Sequence, residues 1–310
     1  MVKILCYNML DISIKTIYIK TTGELYLIIK FLGTASAHSS PLPFCNCKMC
    51  NMSRKFAGKD FRKRSSILVN EDLIIDLGPD FMSSSFIHGV NTANIRYLLQ
   101  THSHSDHFSA CHLITRIAGY ASENVKPLSL YASPLCIQSM SEQLGREEYG
   151  ANLFEMEWLD KLVMDVNKVK YCDEFQCGSY SVTAFSANHD DENGSSIYLV
   201  SDGSCRLFYG LDTNGITEET FTYLEKKHIC LDVVVLDHTY GYDVKAYDHL
   251  TANRFIETVN EMKDRNIIGP DTKVFASHIS HEGNLPHNEF ILFAEKYGYS
   301  VAFDGLEISC

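Results

Sequence analysis

The chain has 310 residues, 45% of them apolar, enough to bury a sizeable core in one large domain or two. A formal net charge of −12 argues against a broad surface for nucleic acid or an anionic membrane, where basic residues would be expected. No apolar run reaches transmembrane length, and Met1–Leu10 holds only a short apolar stretch followed by Asp11 and Lys15, so neither a membrane span nor a cleaved leader is expected. Eleven cysteines, three of them crowded together, fit reduced thiols and metal binding in a cytoplasmic protein better than a disulfide framework.

From the N-terminus, Ile12, Ile14, Ile17 and Ile19 sit among polar residues, and Thr21-Thr22-Gly23-Glu24 turns the chain. Leu25–Leu32 is a second apolar run, so a hairpin is predicted whose second arm is the first core strand. Cys45-Asn46-Cys47-Lys48-Met49-Cys50 follows. Its C-x-C-x2-C spacing puts three thiolates in one tight turn, suited to a tetrahedral zinc that lacks one ligand, although free cysteines alone would read the same. The stretch from Arg54 to Arg64 is a dense basic run in an acidic protein. It reads equally as positive potential for a phosphate or as a solvated helix face. Ser65–Val69 and Leu73–Asp76 form a hairpin, and Ile95–Leu99 reads as a buried strand.

A helix is predicted over 110–118 with His112 on its surface, then a strand at Leu128–Tyr131 and a helix from Pro134 to about Leu144. Residues 145–170, with the single tryptophan Trp158, are weakly patterned and read as an insertion that could shape a pocket mouth. Strands follow at Tyr180–Phe185, Ser196–Val200, Arg206–Tyr209, Val233–Leu236 and Lys273–Ala276. A late helix has Leu250, Phe255, Ile256, Val259 and Met262 as its apolar face. Without repeats or a low-complexity linker, residues 1–310 are expected to form a single domain, with 1–24 as an extension.

The stretch that organises the chain is Thr101-His102-Ser103-His104-Ser105-Asp106-His107, directly after the Ile95–Leu99 strand. Histidine is the commonest transition-metal ligand, and a loop leaving a rigid strand can aim several side chains at one point. His102 and His104, two apart, can project together from extended chain. Asp106 and His107, after a turn, can face a second ion. This H-x-H-x-D-H resembles the signature of the metallo-β-lactamase superfamily. The resemblance implies a four-layer αββα fold, with two packed mixed β-sheets flanked by helices and a dinuclear metal site at one edge. It also implies three further ligands at strand ends: His189 for the first metal, Asp212 as a bridging carboxylate and His278 for the second. Asp76 stands where the superfamily places a carboxylate that orients a ligand imidazole.

If His278 is a ligand, His281 lies close enough to complete Cys45, Cys47 and Cys50 as a closed, structural Cys3His zinc site. The knuckle, the H-x-H-x-D-H motif and the paired late histidines together resemble the phosphoribosyl cyclic phosphodiesterases (PhnP-like proteins) over roughly residues 28–305. That resemblance implies two active-site divalent ions, manganese or zinc, with a hydroxide between them attacking phosphorus in a small cyclic phosphodiester. The substrate class would be ribose 1,2-cyclic phosphate or a 2′,3′-cyclic nucleotide. It makes His249, in Asp248-His249-Leu250-Thr251, the general acid, although a helix-capping role is the alternative. Asp106, facing the second ion, is carried with His249 as catalytic, while His238 could touch substrate or be structural. A homodimer is expected by resemblance alone. Other hydrolases of the same fold (lactonase, thioesterase, ribonuclease) stay open, and a non-hydrolytic metal or redox protein is the remaining reading. The net charge and the lack of an RNA-gripping insertion count against a tRNA-processing nuclease.

Overall fold

The computed structural model describes the backbone course of residues 2–8 and 11–19 and the whole of residues 26–120, 123–190, 192 and 194–310. Strands β1 (Val2–Asn8) and β2 (Asp11–Ile19) pair antiparallel as a two-stranded sheet of their own. This corrects the expected hairpin, in which 12–19 would pair with the first core strand; the turn at 21–24 lies outside the described residues. That core strand, β3 (Ile28–Gly33), has no free edge for β2, because both its sides are taken within the first large sheet.

The first large sheet continues with β4 (Ser66–Val69), β5 (Leu73–Ile75), β6 (Tyr97–Leu99), β7 (Leu128–Ala132) and β8 (Met164–Lys168). The second holds β9 (Glu174–Cys177), β10 (Tyr180–Ser186), β11 (Ser196–Ser201), β12 (Arg206–Gly210), β13 (Leu231–Asp237), β14 (Ile268–Ser277) and β15 (Ser300–Val301). The last strand, β16 (Glu307–Ser309), returns to the first sheet beside β3. Both sheets are mixed: β3–β5 and β9–β12 pair antiparallel, β5–β8 and β12–β15 parallel.

Alternation along the strands builds the layers. On β13, Val233 and Val235 face the inter-sheet core with Phe31, Ile67, Val69, Tyr198 and Tyr209, whereas Val234 and Leu236 face outward. Among the described residues the α-helices are α1 (Lys48–Phe56), α2 (Phe81–Ile87), α3 (Cys111–Ile114), α4 (Pro134–Glu147), α5 (Met156–Leu162), α6 (Glu218–Lys226), α7 (Ala252–Asp264) and α8 (His287–Glu295). Leu113, Ile137, Met140 and Leu144 cover the outer face of the first sheet; Phe221, Leu224, Phe255, Val259 and Phe290 cover that of the second. The result is the expected αββα arrangement. Truncating Phe208 or Phe255, both fully buried, to alanine should cost about 3–5 kcal/mol each.

Residues 145–170, weakly patterned in the sequence, are well structured. They supply α5 and the edge strand β8, with Leu153, Leu162 and Met164 in the outer core and Trp158 packed against it. One pair departs from the expected reduced thiols. Cys205, at the start of β12, and Cys310 form a disulfide that ties the C-terminus to the second sheet, while Cys310 and Leu27 exchange backbone hydrogen bonds. Among the described residues no helix is long and apolar enough to cross a membrane.

Candidate metal centre

The H-x-H-x-D-H loop owes its shape to the residue that ends β6. Gln100 is fully buried; its side-chain amide donates to the His102 and His107 carbonyls and to Asp76 Oδ1, and its Oε1 accepts from the Leu77 N–H. The backbone N–H groups of His107 and Phe108 both donate to the His104 carbonyl, which turns the chain so that Asp106 and His107 face away from the first pair. Three further side chains leave strand ends on the same rim with left-handed backbone: Asp76 after β5 (φ 67°), Asp212 after β12 (φ 49°) and His278 after β14 (φ 59°). Such conformations in non-glycine residues are strained and gather at functional sites.

Two groups of donors result. In the first, His104 Nδ1 lies 3.0 Å from His102 Nε2 and 3.3 Å from His189 Nε2. In the second, His107 Nε2 lies 3.2 Å from Asp106 Oδ2 and 3.3 Å from His278 Nε2. Asp212 divides its carboxylate between them. Oδ1 is 3.9 and 3.8 Å from His102 and His189, and Oδ2 is 2.9 and 3.2 Å from His107 and His278. Two nitrogens on one tetrahedral zinc stand about 3.3 Å apart, so these spacings fit a shared cation at each group. Asp212 Oδ2 is buried and has no hydrogen-bond donor despite the two nearby imidazoles, as expected of an oxygen that faces an ion. The donors therefore fit two divalent cations.

Each imidazole is held by its other nitrogen. His107 Nδ1 is 2.7 Å from Asp76 Oδ2, His104 Nε2 is 2.9 Å from Asp190 Oδ2, and His278 Nδ1 is 2.7 Å from Thr239 Oγ1. Asp76 also accepts from the Thr101 N–H and hydroxyl. Burial opposes charge on His107, but Asp212, Asp106 and Asp76 outweigh it and raise its pKa well above the usual range. Burial also opposes charge on Asp106 and Asp212, and here His107 outweighs it and holds both low. His102, buried beside His107, is pushed well below its ordinary value and is neutral, as a ligand must be.

Asp237, at the end of β13, was not singled out from the sequence, yet it joins the centre together. It accepts from the Asp212 N–H (3.1 Å), from Thr239 and from His249 Nδ1 (2.8 Å). Burial lowers the His249 pKa, but Asp237 chiefly, with Asp212 and Asp248, raises it to about 9. His249 lies close enough to His189 and Asp212 to be grouped with them, and its ring stacks on His278. The N-cap of α7 is Thr251, so His249 is not there to cap the helix. Asp190 and Gln100 also escaped the sequence reading, since a lone polar residue at a strand end carries little pattern.

The structure brings the three knuckle cysteines and His281 together. The Cys45, Cys47 and Cys50 Sγ atoms lie 3.6, 3.3 and 3.5 Å from His281 Nδ1. Tetrahedral Zn–S and Zn–N bonds put sulfur and nitrogen about 3.5 Å apart. Burial opposes a charge on Cys47, but the Cys50 N–H and His281 outweigh it and bring it down to about 6. Burial and the Cys47 charge push Cys50 up to about 11, and a cation would remove that conflict. The knuckle adjoins the centre because the Ile279 N–H donates to the Thr34 carbonyl, tying the early loop to the His278–His281 segment.

Most of the basic run is engaged with its own surroundings. Arg54 donates to the Leu42 and Cys45 carbonyls, and buried Arg62 donates to Thr34 and the Ala302 carbonyl. Lys63 pairs with Asp304 and Arg64 with Asp80. Four of the run's six cations are thus tied into the fold, while Lys55 and Lys59 are exposed. His238 is buried among Phe255, Phe290 and Tyr299, with its pKa lowered to about 4 by burial, and is structural. His112 is not on the surface: it is half-buried, packs on Phe81 and hydrogen-bonds the Gly78 carbonyl.

An αββα sandwich with a His/Asp rim suited to divalent cations is the architecture of a metal-dependent hydrolase. Residues 72–276, well over half of the chain, match the model of the β-lactamase superfamily domain, and the chain belongs to that superfamily. In fold it is similar to a diphosphatase of the PhnP family (20% identity, TM-score 0.67, covering 92% of this chain and 98% of that one). It is likewise similar to zinc-bound PqqB from Methylobacterium extorquens (19%, TM-score 0.67, 91% and 99%) and to the human short-form tRNase Z (16%, TM-score 0.58, 91% and 98%). Cleavage and polyadenylation specificity factor subunit 3 of Dictyostelium discoideum is 23% identical over 176 residues, 56% of this chain but only 22% of that protein.

Proposed function

We propose that the protein is a dinuclear-metal phosphodiesterase that opens a small cyclic phosphodiester, of the ribose 1,2-cyclic phosphate or 2′,3′-cyclic nucleotide type, and that residues 1–310 act as one hydrolase domain. The observation that carries this reading is the Asp237–His249 pair set beside the divided Asp212 carboxylate: a proton donor next to a two-cation site. His102, His104 and His189 would hold one cation and Asp106, His107 and His278 the other, with Asp212 between them. Divalent cations there supply a water of lowered pKa and positive charge facing the phosphoryl oxygens.

The protein's own part is proton management. With Nδ1 held by Asp237, the imidazolium of His249 has its other N–H left for the leaving alkoxide, and the Asp237 carboxylate stabilises the charge until transfer. Similarity to a PhnP-family diphosphatase supports phosphorus as the centre attacked. A ribonuclease is the second reading, favoured by the similarity to tRNase Z and to the polyadenylation factor. Against it, the net charge is −12, and Arg54, Arg62, Lys63 and Arg64 are tied into the fold.

Hydrolysis of 2′,3′-cyclic AMP by manganese-loaded protein tests the proposal. Wild type should open the ring, and His249→Ala should lose about 10²–10⁴-fold in turnover while keeping its cations. Inactive wild type with a full metal complement would sink the substrate assignment and direct the search to lactones and thioesters.

A further inference from the structure

Of the three tyrosines in the loop between β13 and α7, Tyr240 and Tyr247 have opposite fates. The loop is closed at its base, where the Tyr240 N–H donates to the Leu250 carbonyl and the Gly241 N–H to the Glu282 carbonyl. Gly241 lies so close to Gly283 that a side chain at 241 would collide with backbone, so the base is rigid. Tyr240 is used locally: its ring packs edge-on against His249 and its hydroxyl donates to Asp248.

Three consecutive residues of the loop are then pinned to the metal centre. The Tyr247 carbonyl accepts from Asn214 Nδ2 (2.5 Å), the Asp248 carbonyl lies 3.4 Å from His189 Nδ1, and His249 is held by Asp237. Asn214 is itself fixed, through its Oδ1 to Arg254 and its backbone N–H to the Asn188 carbonyl. Yet the Tyr247 residue is 84% exposed. The backbone at the lip of the site is thus held at and directly after a large, exposed aromatic ring.

We infer that Tyr247 is a stacking platform for the base of the substrate, which makes the substrate a nucleotide rather than a base-free sugar phosphate. A cyclic phosphate on ribose stands a few bonds from the glycosidic carbon, so a phosphorus held at the metal centre brings a base to the rim. An aromatic face fixed through its backbone meets that base with little ordering cost. Stacking is tolerant of base identity, so the platform selects for a base without choosing among them. Tyr247 is a specificity residue and takes no part in bond making. The inference rests on the phosphodiesterase reading above.

The test compares manganese-loaded wild type, Tyr247→Phe and Tyr247→Ala on 2′,3′-cyclic AMP and on a methyl riboside 2,3-cyclic phosphate, which lacks a base. Wild type should prefer the nucleotide in kcat/KM by roughly tenfold or more. Tyr247→Ala should lose most of that preference, mainly through KM, and Tyr247→Phe should keep it. A purely structural role would lower both substrates together and leave the ratio intact, and an unchanged ratio in Tyr247→Ala overturns the inference. If wild type turns over neither compound, the phosphodiesterase reading has failed. Calorimetry of 3′-AMP against the methyl riboside 3-phosphate then decides the stacking role separately: no adenine advantage in wild type, or one that survives Tyr247→Ala, overturns it.

Discussion

The knuckle and the Asp212 centre are both clusters of metal-ligating side chains, but they differ in what stands behind the ligands. At the knuckle, three thiols from one turn meet His281, and among the described residues no carboxylate backs that imidazole. At the Asp212 centre, Asp190 stands behind His104, Asp76 behind His107, and Asp237 serves His249 directly and lies 3.5 Å from His278. A closed site needs only four donors. An open site must keep ring orientation and basicity fixed while water and substrate exchange, and outer carboxylates do that.

The contrast can be broken most sharply at Asp212. Asp212→Ala should lower turnover by roughly 10³-fold or more, because it removes the one side chain shared by both groups. Metal analysis of that variant should still find the knuckle zinc; losing all metal together would mean that the two sites are not independent. A smaller effect is expected of Asp76→Asn. It should weaken metal affinity or activity about 10- to 100-fold, seen as a higher metal requirement, with the knuckle unaffected. Cys50→Ser should reverse the pattern. It should remove the structural zinc and lower the Tm by several degrees, while turnover at low temperature stays within a few-fold of wild type.

The gentlest test is pH. A general acid must be protonated, and the pKa of His249 is raised to about 9, so activity should hold through neutrality and fall on the alkaline side. Cations at Asp212 pull that limb below 9. The same pair bears on stability with a fixed sign. Its contribution is complete below the ordinary 6.5 and is lost as pH rises through 9, so His249→Ala should flatten the alkaline decline of Tm.

Much of this centre was legible because these donor side chains follow apolar strands: His102 after β6, His189 after β10, Asp212 after β12, His278 after β14. The layered fold was legible from the resemblance carried by those residues. What stands behind the ligands was not. Asp237 and Asp190 occupy ordinary strand and loop ends, and only the three-dimensional meeting with His249 and His104 gives them roles. The N-terminal pairing was misjudged because alternation identifies strands without naming their neighbours, and β3 is already flanked by β4 and β16. Strand β8 was missed because an edge strand with one buried face, Met164 in and Asp165 out, leaves a faint pattern.

The most direct measurement follows metal content and hydrolysis of 2′,3′-cyclic AMP in one sample during chelation. Three metal ions per chain are expected at the start. Two should leave with the activity and restore it on return, while a zinc held by Cys45, Cys47, Cys50 and His281 resists removal. Activity that persists after those two have gone, or a fully loaded protein with only one ion beyond the knuckle, would contradict the dinuclear hydrolase.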